Sequence, residues 1–176
     1  MQSIQTVSEN TIYVGASDRR LAKFENLFPI PRGVSYNAYV ILDEKTALLD
    51  TADASVGAQF LENVAAALDG RKLDYLIVDH MEPDHAAMIE AVLVRWPDLR
   101  LVVNAKTLPM LKMYFPTDSA AIDDALVVKE GDTLDLGKHK LTFVMAPMVH
   151  WPEVMMTFDT TTGTRFSADA FCTFAA

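Results

Sequence analysis

Cysteine is nearly absent from this 176-residue sequence, in which Cys172 is the only one. A single thiol excludes an internal disulfide, and this composition fits a reducing compartment. Long apolar runs are missing too, since none approaches the roughly 20 residues that a membrane helix needs. The N-terminus also lacks the basic segment followed by an apolar segment that marks a signal peptide. We therefore expect a cytoplasmic protein without a membrane partner.

Basic residues are scarce as well. The sequence has 15 lysines and arginines against 24 aspartates and glutamates, which gives a net charge of −9. This balance disfavours nucleic acid as a partner, because the phosphate backbone binds basic surfaces. Hydrophobic residues make up 51% of the chain, which is enough for a core. Neither an internal repeat nor a low-complexity linker divides the sequence, so we expect one domain that covers residues 1–176.

Strand and helix patterns alternate along the first part of the chain, and strand patterns alone fill the rest. Strands are predicted at residues 3–7, 11–15, 36–42, 46–50, 73–78 and 99–104, and helices at 54–69, 85–96 and 105–115. Prolines and a glycine interrupt residues 24–35, which we expect to be irregular. Residues 125–147 predict a hairpin with the turn Gly137-Lys138, and 154–169 predict another. The pattern indicates an α/β layered fold with a mixed sheet.

The segment DHMEPDHAAMIE, residues 79–90, places two histidines and four carboxylates directly after the apolar run 73–78. His80, Glu82 and Asp84 are spaced so that an extended segment turns them to one side. Pro83 disfavours a helix through this stretch. We expect the helix to begin after Asp84, which would cap it, with His85 on the first turn. Imidazoles and carboxylates that converge after a buried strand predict a metal site.

Three more polar residues lie outside this segment. His150 precedes Trp151 and Pro152 after a predicted strand, and taken alone it does not define a site. Asp169 also follows a strand, in an apolar setting where a carboxylate needs a cation or must serve as a turn or cap residue. His139 is expected at a hairpin tip, exposed to solvent.

Together these motifs resemble the flavodiiron proteins, also called A-type flavoproteins, which carry a metallo-β-lactamase-like domain. The resemblance runs through residues 13–51, DYLIVDHMEPDHAAMI, HWPEVMMTFD and FSADAF, and covers nearly the whole chain. It implies an αββα sandwich with mixed sheets, whose second half would be incomplete in this chain. Hydrolases of that fold usually show H-x-H-x-D-H, whereas here Glu82 stands in place of the second histidine. A carboxylate at that position suits iron better than zinc.

The resemblance also implies a set of ligands for two iron ions. The first iron would be held by His80, Glu82 and His150, the second by Asp84 and His85, and Asp169 would bridge the two. In some family members the histidine that matches His85 swings away, and water replaces it. Trp151 would pack beside the site. No catalytic residue is implied beyond the ligands, and no residue of this chain is expected to bind another cofactor.

Family members reduce dioxygen to water or nitric oxide to nitrous oxide, with electrons from FMN in a flavodoxin-like domain. Nothing in this sequence resembles that domain, and the family's further histidine ligand would lie beyond Ala176. We therefore expect a truncated chain that takes electrons from a flavin or from a rubredoxin- or flavodoxin-like protein, as a homodimer. Cys172 stands where the family usually has glycine, and we expect a small buried side chain there. The alternatives are a zinc or manganese hydrolase of the same fold and a non-catalytic truncated remnant.

Overall fold

Fifteen strands and five α-helices make up the part of the chain that the structure, a computed structural model, describes: residues 3–24, 26–116 and 119–171. The strands are β1 (Gln5–Ser8), β2 (Thr11–Tyr13), β3 (Ala16–Asp18), β4 (Lys23–Phe24), β5 (Phe28–Pro29), β6 (Val34–Tyr36), β7 (Tyr39–Leu42), β8 (Thr46–Leu49), β9 (Tyr75–Ile77), β10 (Arg100–Asn104), β11 (Leu126–Val128), β12 (Thr133–Asp135), β13 (Lys140–Met145), β14 (Met155–Asp159) and β15 (Thr164–Phe166). The helices are α1 (Gly57–Leu68), α2 (Pro83–Ala86), α3 (Ile89–Arg95), α4 (Thr107–Tyr114) and α5 (Ser119–Asp123), and a short 3₁₀ helix, Ala54–Val56, precedes α1.

A mixed sheet of seven strands carries the parallel strands that lead to the polar motif. Its order is β1-β2-β7-β8-β9-β10-β11. The pairs from β1 to β8 are antiparallel, and those from β8 to β11 are parallel. The strand predicted at 73–78 is thus β9, an interior strand of the sheet, and the predicted mixed sheet is confirmed. Polar residues at the ends of β8, β9 and β10 consequently meet at one edge of the sheet.

A second sheet, β12-β13-β14-β15, is antiparallel throughout and packs face to face on the first. The core between the sheets includes Ile41, Ile77 and Val102 from the first sheet and Phe143 and Met155 from the second. On the other face of the first sheet, all five described helices contribute side chains to a larger core. The layers are therefore helices, mixed sheet and antiparallel sheet. None of the described helices is both long and apolar enough to cross a membrane.

Several local predictions were wrong at the edges of these elements. The stretch 24–35, expected to be irregular, contains β5 and part of β6, and β6 pairs with β3. The helix expected at 85–96 is two helices, α2 and α3, and α2 begins at Pro83. Proline fits the first helical position because the helix does not use its missing N–H there. Residues 119–123 form a helix for which we made no prediction.

The β12–β13 connection is the predicted two-residue turn, because the Leu136 N–H donates to the carbonyl of His139 across Gly137-Lys138. The prediction that His139 is exposed was wrong, since only 3% of its surface is accessible. Its Nδ1 lies 2.8 Å from Asp159 Oδ2, and its N–H donates to Asp43 Oδ2 at 2.6 Å. The turn folds back against the first sheet, so the local pattern gave no sign of this burial.

Candidate metal centre

Three loops converge at the carboxyl ends of β8, β9 and β10. The loop after β9 brings His80, Glu82 and the start of α2, the β13–β14 loop brings His150, and the segment after β15 brings Asp169. The Met155 N–H donates to the Asp79 carbonyl at 3.0 Å, which joins the loop after β9 to the second sheet. All six residues predicted as ligands are thereby brought to one place, although they span 90 residues of sequence.

The first group consists of His80, Glu82, His150 and Asp169, whose candidate ligand atoms all lie within 4.8 Å of one another. Glu82 Oε2 is 3.1 Å from His80 Nε2 and 2.8 Å from His150 Nε2. His80 and Glu82 lie on one loop, whereas His150 and Asp169 lie on two other segments. No local pattern therefore determines the distances between these three segments. His80 and Glu82 are buried, whereas 53% of the His150 side chain is exposed. The group is therefore open to solvent on the side of His150.

Asp169 belongs to both groups, and each of its oxygens faces a different one. Its Oδ2 lies 3.3 Å from His150 Nε2 and 3.8 Å from His80 Nε2. Its Oδ1 lies 2.8 Å from His85 Nε2. The second group is completed by Asp84, whose Oδ2 is 3.6 Å from His85 Nε2. One carboxylate thus stands between two adjacent groups, each of which could hold a metal ion.

Asp84 does not cap the helix, contrary to our prediction. Glu82 occupies the N-cap position of α2 without a side-chain cap, and Asp84 lies inside the first turn. Its Oδ1 is buried and finds no hydrogen-bond donor among the described residues. A buried carboxylate oxygen without a donor is costly unless a cation compensates it. Burial accordingly raises the pKa of Asp84 to about 6.

Neighbouring carboxylates raise the pKa of two histidines of the site, His80 and His85. Burial lowers the pKa of His80, but hydrogen bonds with Glu153 and Glu82 outweigh it and raise this pKa to about 9. For His85, bonds with Asp169 and Asp50 likewise outweigh burial and raise the pKa well above its usual value. Burial raises the pKa of Asp169, but the hydrogen bond and charge of His85 lower it to about 2. Such carboxylates favour a metal cation in place of the imidazole protons.

Aromatic contact and exposure distinguish the two sides of the first group. The ring of Trp151 meets that of His80 edge-on, with 5.4 Å between centroids and 89° between planes. The ring centroids of His80 and His150 are 5.1 Å apart. Trp151 is half-buried and covers one side of His80.

Our prediction for Cys172 lies outside the described residues.

Two buried carboxylates, which contact the Nδ1 atoms of His80 and His85, were not predicted from the sequence. Asp50 Oδ2 lies 3.0 Å from His85 Nδ1, and Glu153 Oε1 lies 2.8 Å from His80 Nδ1. Asp50 directly follows β8, at the same sheet edge as the motif after β9. That position was the available signal, because polar residues after parallel strands share one edge. Glu153, three residues after His150, had no comparable signal.

Comparisons with known proteins agree with this geometry. A family model described as "ODP family beta lactamase" matches residues 34–176. The anaerobic nitric oxide reductase flavorubredoxin of Klebsiella pneumoniae is 36% identical over 167 residues, which are 94% of this chain and 34% of that protein. The chain spans roughly a third of the length of the curated relatives it matches, from 28% to 41%.

Two solved structures resemble the whole chain or most of it. The flavodiiron protein from Giardia intestinalis has a TM-score of 0.92 at 27% identity, covering 100% of this chain and 42% of that one. The rubredoxin oxygen:oxidoreductase of Desulfovibrio gigas has a TM-score of 0.83 at 31% identity, and the match covers 89% of this chain and 38% of that one. These likenesses confirm the predicted α/β metallo-β-lactamase-like fold with mixed sheets.

Proposed function

This chain belongs to the flavodiiron protein family, whose metallo-β-lactamase-like domain it carries, and on that basis we propose that it is a diiron oxidoreductase domain. Its substrate would be dioxygen, nitric oxide or both. The single observation that carries the proposal is the position of Asp169, with one oxygen toward each of the two groups of candidate ligands. Residues 1–176 would form one such domain.

The residues present fit two divalent cations. Glu82, Asp84 and Asp169 provide three carboxylates, and Asp84 Oδ1 is a buried oxygen without a donor among the described residues. We propose that His80, Glu82 and His150 hold the first iron, that Asp84 and His85 hold the second, and that Asp169 bridges them. A donor set with this many oxygens suits iron better than the thiolate- and imidazole-rich sets typical of zinc.

When bound, two ferrous ions would clamp a diatomic molecule and supply electrons to it. The protein residues hold and orient these donors. His150 presents its ring at the open side of the site, because more than half of its side chain is exposed, whereas His80 is fully buried. Trp151 packs on His80 and excludes water from that side. The substrate would therefore approach past His150.

Electrons must come from outside the described residues. The names of two similar proteins refer to rubredoxin, and we propose that this domain receives electrons from a flavin or from a rubredoxin- or flavodoxin-like protein. FMN and a homodimer belong to the same proposal.

Metal content tests the proposal. The chain purified anaerobically should contain two irons, and Asp169→Asn should lose iron because the shared carboxylate loses its charge. Asp135→Asn, on the exposed β12–β13 hairpin, is the matched control and should retain the iron content of the parent. Zinc or manganese together with hydrolysis of an ester or thioester would instead identify a hydrolase. One metal or none would identify a non-catalytic chain.

A further inference from the structure

Glu153 connects two of the three segments that form the first group. It is 1% exposed and lies three residues after His150 on the β13–β14 loop. Its Oε1 is 2.8 Å from His80 Nδ1 and accepts the Met81 N–H at 3.0 Å, so it binds the loop after β9. One carboxylate oxygen therefore connects the segment carrying His80 with the segment carrying His150.

This contact determines which nitrogen of His80 faces the candidate metal. The Met81 N–H can only donate, so the oxygen it meets must be an acceptor. Because His80 Nδ1 shares that same acceptor, Nδ1 must carry a proton and donate it as well. In the neutral imidazole that metal binding requires, the lone pair is then on Nε2, which points to Glu82 and Asp169. A carboxylate behind a ligating histidine also increases its basicity.

The position of Glu153 is itself fixed by the end of β10. Asn104 Nδ2 donates to the Glu153 carbonyl at 2.6 Å, and Lys106 Nζ donates to the Pro152 carbonyl at 3.1 Å. Asn104 Oδ1 in turn accepts the N–H groups of Lys106 and Thr107. The main chain at Glu153 is thus anchored to the first sheet, and its carboxylate is held in place before any metal binds.

We propose that Glu153 is the positioning residue of the first metal group: it selects the His80 tautomer that leaves Nε2 free and holds the His80 and His150 loops together. This inference rests on the two-metal function proposed above. Asp50 provides a partial comparison: its Oδ2 meets His85 Nδ1 of the second group at 3.0 Å, while its Oδ1 accepts the Asp79 N–H on the loop that carries His80. Each carboxylate should therefore act mainly on the metal whose histidine it meets.

An anaerobic titration with ferrous iron, in competition with a chromogenic chelator, measures how many irons the chain binds and how tightly. The parent chain should bind two irons. Glu153→Gln removes the negative charge that makes His80 more basic and should weaken one of them by about 10- to 100-fold, the typical cost of mutating such an outer partner. The glutamine oxygen can still accept the Met81 N–H, so the chain should fold. Glu130→Gln is the matched control, since Glu130 is exposed and also accepts a main-chain N–H, from Met145, but no histidine.

Asp50→Asn tests whether the two carboxylates serve different metals. It should weaken the other iron, and the double variant should bind neither tightly. In zinc-loaded, ¹⁵N-labelled parent protein, NMR of the His80 ring should show the proton on Nδ1 and the metal on Nε2.

A parent chain with two irons and a Glu153→Gln variant of equal affinity for both would overturn the inference and leave the proposed function intact. The inference would also be overturned if Glu130→Gln lost as much iron affinity as Glu153→Gln, or if the double variant still bound one iron tightly. A parent chain with fewer than two irons would overturn the proposed function, and the inference with it.

Discussion

The buried contact between His139 and Asp159 should contribute measurably to the stability of this protein. The two side chains are 3% and 0% exposed, and 2.8 Å separates Nδ1 from Oδ2. Removing one partner of a buried hydrogen bond costs about 1–3 kcal/mol, and more where the remaining group is charged. Asp159 keeps hydrogen bonds from the Thr161 N–H and the Thr162 hydroxyl when the imidazole is removed. We therefore expect His139→Ala to lower the free energy of unfolding by about 3 kcal/mol, the high end of that range, because the packing of the buried ring is lost as well.

Urea denaturation of the metal-free chain, followed by circular dichroism, measures this loss. The neighbouring Lys140→Ala is the control, because the Lys140–Asp135 pair is 3.8 Å long and more than 60% exposed on both sides. Exposed pairs contribute about 0–1 kcal/mol, so this variant should stay close to the parent. A double-mutant cycle with Asp159→Ala should give a coupling of about 1.5–3 kcal/mol, as expected for a hydrogen bond to a charged group.

The reasoning would be refuted by a His139→Ala variant no less stable than Lys140→Ala. A coupling near zero would refute it as well, since the two residues would then act independently. Either result would mean that burial of this histidine is incidental to the packing of the two sheets.

The remaining predictions concern acid sensitivity, steric fit and metal content. The pKa of Asp159 lies below its usual value, because hydrogen bonds from Thr162 and His139 outweigh the effect of burial. The stabilisation from this carboxylate is therefore complete above the unfolded-state pKa of about 3.9 and is lost as pH falls through the folded-state pKa. As the pH is lowered, the free energy of unfolding should therefore decrease less in Asp159→Asn than in the parent. In the same urea assay, Gly15→Ala should lower the free energy of unfolding by about 3 kcal/mol, because a Cβ there would overlap the Tyr36 carbonyl oxygen. Gly163→Ala should lower it by about 1 kcal/mol, because a Cβ there has open space but the backbone has a φ of +73°. Equal costs for the two alanines would contradict the steric argument. His80→Ala should lower the iron content from two to one per chain by elemental analysis, and an unchanged iron content would exclude it from the first group.

Much of the fold and the identity of the candidate ligands were accessible from the sequence. The apolar run 73–78 is a buried parallel strand, and Gly137-Lys138 forms the expected turn, because both depend on neighbouring residues. The start of α2 was misplaced, because proline was read as excluding a helix when it fits the first position. Strand β6 was missed because it pairs with β3, outside the segment, whereas β4 and β5 pair with each other and were missed because prolines there indicated an irregular stretch.

The outer carboxylates show why the rest of the site was inaccessible. Glu153 meets His80 across 73 residues, and Asp50 meets His85 across 35. No local signal distinguishes Glu153 from the many solvated carboxylates, and the position of Asp50 after β8 indicates the end of the sheet where it lies but not its partner. Their burial and their partners arise from the packing of one sheet on the other, so they follow from the whole fold.

The sequence by itself determined the kinds of donor atoms available and their grouping after strands, because local periodicity and spacing depend on covalent geometry. Glu82 in the H-x-E-x-D-H pattern was sufficient to favour an oxygen-rich site. Only the tertiary structure decided which oxygen of Asp169 faces which group, which nitrogen of His80 faces Glu153, and that His139 is buried. These depend on distances between segments far apart in the chain, which are set by packing of the two sheets and by the hydrogen bonds that this packing allows.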